Sequence, residues 1–161
     1  LDIVRPVELN GQLVSSSLIR RLISEGEVAT AATMLTEPYR IRGMVTHGAG
    51  RGARLGFPTA NLEAIDTLLP TIGVYAGRAY VGSQRFPAAI NIGPNPTFGE
   101  HALKVEVHLL DRDESLYGEP LEVEFLSKLR DVRAFGSKDE LIAQLREDVT
   151  RAREIAGRFG L

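Results

Sequence analysis

Cysteine and tryptophan are both missing from this 161-residue chain. Without a thiol there can be no disulfide, no zinc–thiolate site and no cysteine nucleophile, and such a composition fits a reducing, cytoplasmic setting. No stretch approaches the ~18 consecutive apolar residues of a membrane span, which argues against a membrane role. An excess of one charge is lacking too. Nineteen Lys and Arg stand against 21 Asp and Glu, for a net charge of −2. With four Tyr and six Phe besides, the chain has neither the basic groove nor the stacking aromatics of a nucleic-acid binder, so an anionic partner should be a small molecule. Internal repeats, low-complexity tracts and a signal peptide are not seen. The chain opens at Leu1 within an apolar–polar pattern, which suggests a piece of a longer protein.

What is present is concentrated in residues 48–61. Gly48, Gly50, Gly52 and Gly56 let the backbone approach a ligand closely, and Arg51 and Arg54 offer donors to phosphate oxygens. The loop matches neither Walker A, which needs Gly-Lys-Ser/Thr, nor a GxGxxG that opens a helix after a strand. Pro58 then fixes the chain before Thr59 and Asn61. Two positions apart in an extended segment, these side chains share a face and could both give oxygens to a hard cation such as Mg²⁺. The competing reading is a hairpin loop with glycines for turning and arginines for solubility.

Around this loop the apolar period changes twice. Leu18, Ile19, Leu22 and Ile23 follow Ser15-Ser16-Ser17 at helical spacing and stop at Gly26, and Val28, Ala31, Ala32 and Leu35 give a second short helix before Pro38. Residues 39–46, 73–81, 85–92, 103–110 and 120–126 read as strands separated by Gly, Pro, Asn and Asp, and five or six such strands without intervening helices suggest a small closed barrel. Ser137-Lys138-Asp139-Glu140 has the form of a capping box, and Leu141, Ile142, Leu145, Val149, Ala152 and Ile155 continue it as a long helix to about residue 156 that should pack on the barrel. Residues 1–38 and 39–161 form the two expected parts. Of the histidines, His47 and His101 fall in expected loops, and His108 shares a strand face with Glu106. Glu106, Glu122 and Glu124 all have the spacing of solvated strand glutamates.

Gly48-Ala49-Gly50-Arg51-Gly52 followed by Leu55-Gly56-Phe57-Pro58-Thr59-Ala60-Asn61 resembles the signature of riboflavin kinases, in particular the kinase module of bacterial bifunctional riboflavin kinase/FAD synthetases. Gly73-Val74-Tyr75-Ala76-Gly77, residues 92–99, Val105-Glu106-Val107-His108, Leu116-Tyr117-Gly118 and Leu129-Arg130 with Phe135 follow in the family's order. The resemblance implies a six-stranded antiparallel Greek-key barrel with a C-terminal helix. It implies Mg²⁺-dependent phosphoryl transfer from ATP to riboflavin, which gives FMN. Glu106 would be the base for the ribityl 5′-hydroxyl, and Thr59 and Asn61 would serve the metal and phosphates. Gly48, Arg51, Gly52, Arg54, Pro58, Leu109, Asp111 and Tyr117 would lie at the nucleotide, and Arg130, Arg133 and Phe135 at the flavin. Either Ala53 or Arg54 would occupy the contacting position of the loop. Val14-Ser15-Ser16-Ser17-Leu18-Ile19-Arg20 is similar to a motif near the end of the adenylyltransferase module, so residues 1–38 would be a remnant of that module with its linker. The upstream motifs for adenylyl transfer are not in this stretch, which should not make FAD. A non-catalytic flavin- or nucleotide-binding barrel is the alternative.

Overall fold

Apolar residues on alternate strand positions build the core of a closed barrel, and the positions between them face outward. The computed structural model describes residues 7–95, 97, 99, 103–112 and 114–160. His101, and Pro96 and Phe98 of the 92–99 motif, lie outside the described residues. In chain order the elements are β1 (Glu8–Leu9), β2 (Gln12–Leu13), α1 (Ser16–Glu25), α2 (Val28–Leu35), β3 (Tyr39–Thr46), α3 (Arg51–Arg54), β4 (Ala60–Glu63), β5 (Gly73–Val81), β6 (Gln84–Gly93), β7 (Lys104–Leu109), β8 (Pro120–Arg130) and α4 (Lys138–Arg158).

The barrel closes in the order β3-β4-β7-β6-β5-β8, with antiparallel pairing throughout. β5, β6 and β7 form a meander. β4 pairs with β7, passing over its successor β5, and β8 returns to pair with both β5 and β3. This is the Greek-key crossover expected above, and closure leaves the six strands no exposed edge. Ile41, Leu62, Tyr75, Ile90, Val107, Val123 and Phe125 fill the interior. The Tyr75 and Phe125 rings meet edge to face with centroids 5.3 Å apart. Burial, with a smaller contribution from the Asp131 charge, pushes the Tyr75 hydroxyl up to about 12, so it stays protonated and donates to the Thr71 carbonyl at 2.6 Å.

The helices begin and end where their caps dictate. Ser15 accepts from the Leu18 amide at 3.2 Å, and Gly26 ends α1 at φ 85°, a left-handed conformation that a side chain would strain. α2 then places Val28 in the barrel core cluster. Ser137 caps α4 by accepting from the Glu140 amide at 3.2 Å, while Glu140 reaches back to the Gly136 amide at 3.1 Å. α4 lays Ala152 and Ile155 on Val74, Ala76, Ala89 and Leu129, the outer surface of β5, β6 and β8.

Four local features differ from the sequence reading. β4 is a further strand, β8 runs on to Arg130, the glycine-rich loop contains the one-turn helix α3, and β1 and β2 form a small hairpin ahead of α1. The expectation of a solvated Glu124 is corrected. It is 3% exposed, because Arg78 from β5, Arg40 from β3 and the end of α4 close over that patch of the barrel wall. Arg78 Nε donates to Glu124 at 2.7 Å and its guanidinium also reaches the Phe159 carbonyl at 3.1 Å, while Arg40 bridges Glu124 and Glu122. Burial opposes the Glu124 charge, but hydrogen bonds from Arg40 and Tyr80 and the charge of Arg78 outweigh it and hold the carboxyl below its ordinary value.

That depressed value sets the sign of a pH effect. Stability from Glu124 is complete above the unfolded carboxylate range and is lost as pH falls through the folded value. Glu124→Gln should therefore destabilise the protein by about 3 kcal/mol at neutral pH, by leaving Arg78 buried without its partner. In denaturant melts the gap to wild type should close on acidification; a gap independent of pH would contradict this account.

Candidate active site

Register assembles the chemistry. Asn61 on β4 stands opposite Glu106 on β7, and Glu106 opposite Asn91 on β6. Residues directly opposite in antiparallel strands point to the same side of the sheet. Val105, Val107 and Leu109 face the core, so the row Asn61, Glu106, Asn91 lies on the outer wall of the barrel. Asn95, just beyond β6, donates to Glu106 Oε2 at 3.0 Å, and Asn91 approaches the same oxygen at 3.5 Å. Glu106 is thus oriented by two carboxamides that carry no charge.

The glycine-rich segment folds back beside this row. α3 turns through bonds from the Leu55 and Phe57 amides to the Gly52 carbonyl at 3.0 and 2.8 Å. A Cβ on Gly48 would run into the Asn61 carboxamide, and one on Gly52 into the Phe57 carbonyl. These two positions accept no side chain without displacing the site. His108 Nδ1 lies 2.7 Å from the Pro58 carbonyl. A carbonyl only accepts, so the ring donates there and ties β7 to the Pro-Thr-Ala-Asn segment. The Phe57 ring meets the His108 ring edge-on at 5.7 Å.

Two cavities flank the row. One is lined by Arg51, Gly52, Glu106, His108, Arg130, Arg133 and Phe135, with Leu141, Leu145, Asp148 and Val149 of α4 as its far wall. The other is lined by Gly48, Pro58, Leu109 and Tyr117, with Thr46 and His47. Gly50, Thr59 and Asn61 line both. At the second cavity His47 stacks on Tyr117 with ring centroids 3.5 Å apart. Thr59 and Asn61 contribute neutral oxygens, which suit a hard cation that keeps most of its other ligands from phosphate and water. No cluster of three or more acidic or histidine ligands occurs among the described residues.

Twelve of the fourteen residues singled out from the sequence, including Thr59 and Asn61 at both cavities, therefore line one or both of these spaces; Arg54 and Asp111 do not. Arg54 lines an adjoining surface groove with Ser137 and Lys138, which shares Arg51, Leu55, Phe135 and Leu141 with the first cavity. Ala53 lines neither cavity either, so neither of the two alternatives reaches these spaces. Asp111 turns at φ 65° toward α4 and pairs with both terminal nitrogens of Arg153, at 2.5 and 3.0 Å. That hydrogen bonding holds its carboxyl below the ordinary value.

Sequence reasoning passed over Asn91, Asn95, His47 and the α4 wall. Asn91 was visible as a lone carboxamide between Ile90 and Ile92, and Asp148 as a carboxylate set into the apolar stripe three residues after Leu145. Asn95 and the stacking of His47 depend on contacts that no local pattern encodes.

Comparison with known proteins gives these features a context. The riboflavin kinase (flavokinase) family model matches residues 35–156. The bifunctional riboflavin kinase/FMN adenylyltransferase of Escherichia coli K12 is 38% identical over 148 residues, which are 91% of this chain and 47% of that protein. The chain thus spans about half the length of the curated relatives it matches. Among solved structures, a Streptococcus pneumoniae protein described as a macrolide-efflux protein superposes with a TM-score of 0.85 at 37% identity, covering 93% of this chain and 50% of that one. Riboflavin kinase from Trypanosoma brucei superposes with a TM-score of 0.53 at 26% identity, covering 73% and 78%.

The close fit of Asn61 against Gly48 generates a test. Gly48→Ala should displace the Asn61 carboxamide and lower turnover at least about tenfold, while the melting temperature moves by no more than a few degrees, because the position is exposed. Unchanged turnover would show that Asn61 does not need this backing.

Proposed function

The chain belongs to the riboflavin kinase family, and on that premise we propose that it transfers the γ-phosphoryl group of ATP to the 5′-hydroxyl of riboflavin, giving FMN and ADP. One observation carries the reading: two cavities meet at Thr59 and Asn61, and Glu106 lines only one of them. A donor and an acceptor bound in separate spaces with a common wall can bring a phosphorus and a hydroxyl together, and phosphoryl transfer needs chiefly such positioning and charge stabilisation.

In this reading riboflavin occupies the cavity with Glu106, Arg130, Arg133 and Phe135, and the nucleotide occupies the one with Gly48, Pro58, Leu109 and Tyr117, its phosphates running past Arg51 and Gly52. Glu106 takes the proton of the 5′-hydroxyl, the freed oxygen bonds to the γ-phosphorus, and the bond to the bridging oxygen breaks to release ADP. Asn91 and Asn95 keep the carboxylate aimed. Thr59 and Asn61 would hold Mg²⁺, which when bound neutralises charge on the phosphates.

The flavin and nucleotide are the small-molecule partners of this stretch. Adenylyl transfer, named in the bifunctional relatives, belongs in our reading to the remaining half of their length, with residues 1–38 as the end of that module and its linker. We place the reaction in the cytoplasm, in keeping with the cysteine-free composition. The efflux activity named for the Streptococcus pneumoniae protein finds no counterpart in the described helices, none of which is long and apolar enough to cross a membrane.

Glu106→Gln should lower kcat by about a hundredfold or more while ATP affinity changes less than about threefold; near-normal turnover would remove Glu106 from the mechanism. Binding of both ligands by the wild-type protein without FMN formation would point instead to a binding barrel. Thr59→Ala should raise the Mg²⁺ concentration needed for half-maximal turnover, because a methyl group cannot ligate a hard cation. Mg²⁺ titrations that superpose for variant and wild type would exclude Thr59 as a ligand.

A further inference from the structure

Asp148 is 2% exposed on a helix whose neighbouring stripe residues are apolar. A carboxylate in such a place is costly unless it is fully bonded, and here it is. Arg130 Nε donates to both of its oxygens, at 3.0 and 3.1 Å, and the Arg130 terminal nitrogen donates at 2.7 Å. One turn earlier on α4, Gln144 Nε2 donates to Asp148 at 3.1 Å, and Gln144 Oε1 accepts from Arg133 at 2.9 Å. The donation to Asp148 fixes which way the Gln144 amide points, and so presents its oxygen to Arg133. Both guanidinium groups stand over the Phe135 ring, at 5.7 Å for Arg130 and 4.9 Å for Arg133.

The segment that carries Arg133 and Phe135 has no regular structure of its own between the end of β8 and the start of α4. Two arginine side chains anchored on α4 supply the order that the backbone lacks. We infer that Asp148 and Gln144 are positioning residues for the acceptor. They hold Arg130, Arg133 and Phe135 together as one cationic–aromatic cluster, in the same cavity that Leu141, Leu145 and Val149 of α4 line with apolar side chains. Such a slot suits a planar, uncharged ring system, which lies on guanidinium and aromatic faces without a charge of its own to desolvate. This rests on the acceptor-side reading of Arg130, Arg133 and Phe135 given above.

The test separates the two ideas. Gln144→Leu, Asp148→Asn and Arg133→Ala are assayed for riboflavin binding by flavin fluorescence quenching, for KM of each substrate, for kcat and for melting temperature. Gln144→Leu should raise the riboflavin KM about fivefold and Asp148→Asn more, with the ATP KM and kcat within about twofold of wild type. A merely structural role would lower stability and weaken both substrates together, and that outcome would overturn the inference. Should Asp148→Asn fail to fold, Gln144→Leu decides alone, since Gln144 is only part-buried. If Arg133→Ala weakens riboflavin binding and Gln144→Leu does not, the role of α4 is wrong while the acceptor site stands. If Arg133→Ala leaves riboflavin binding unchanged, the acceptor-side reading fails and the inference with it.

Discussion

Everything at this site depends on the register of three adjacent strands. With β4 paired to β7 and β7 to β6, Asn61, Glu106 and Asn91 stand in one row. A slip of one residue in either pairing would turn part of that row into the barrel interior. The register is secured by the interior itself, where Leu62, Val105, Val107, Ile90 and Ile92 interlock from the same three strands. Apolar packing on one side of the sheet thus sets polar geometry on the other. The Greek-key crossover is what allows it, because a simple meander would have placed β5 between β4 and the strand that bears Glu106.

Two buried carboxylates bind the outer layer to this frame. Glu124 gathers Arg40 and Arg78, and Arg78 reaches the carbonyl of Phe159 just past α4. Asp148 gathers Arg130 from the end of β8. α4 is therefore attached electrostatically near its end and along its length, in addition to the contact of Ala152 and Ile155 with the strands beneath. Asp111 and Arg153 add a third, exposed link from the turn after β7. Exposed pairs contribute little to stability, but this one joins the helix to the chain that leads into the wall of the second cavity.

The legible parts of the fold were those governed by short-range periodicity. Alternation along Lys104–Leu109 and the start of Pro120–Arg130 marked strands, and the capping box at Ser137 marked the beginning of α4 within a residue. β4 was harder, since four residues, two of them polar, carry too little pattern, although the extended reading of Thr59 and Asn61 anticipated its start. α3 was hidden by its glycine and by its length of one turn. The burial of Glu124 could not be read locally, because Arg40, Arg78 and the end of α4 arrive from three distant segments. For the same reason the motif resemblance singled out Glu106, Thr59 and Asn61 but not Asn95, and it grouped with them Arg54 and Asp111, which line neither of the two cavities.

Because the row of polar groups lies on the outside of the barrel, the two cavities and the hydrophobic interior are separate compartments divided by a single layer of backbone. Ligand-facing side chains can be exchanged with little repacking of Tyr75, Phe125 or their neighbours, so mutational drift in substrate preference and drift in stability are largely uncoupled. An architecture divided in this way is evolvable: its binding surfaces can be rewritten by loops and one helix while the inherited barrel goes on folding as before.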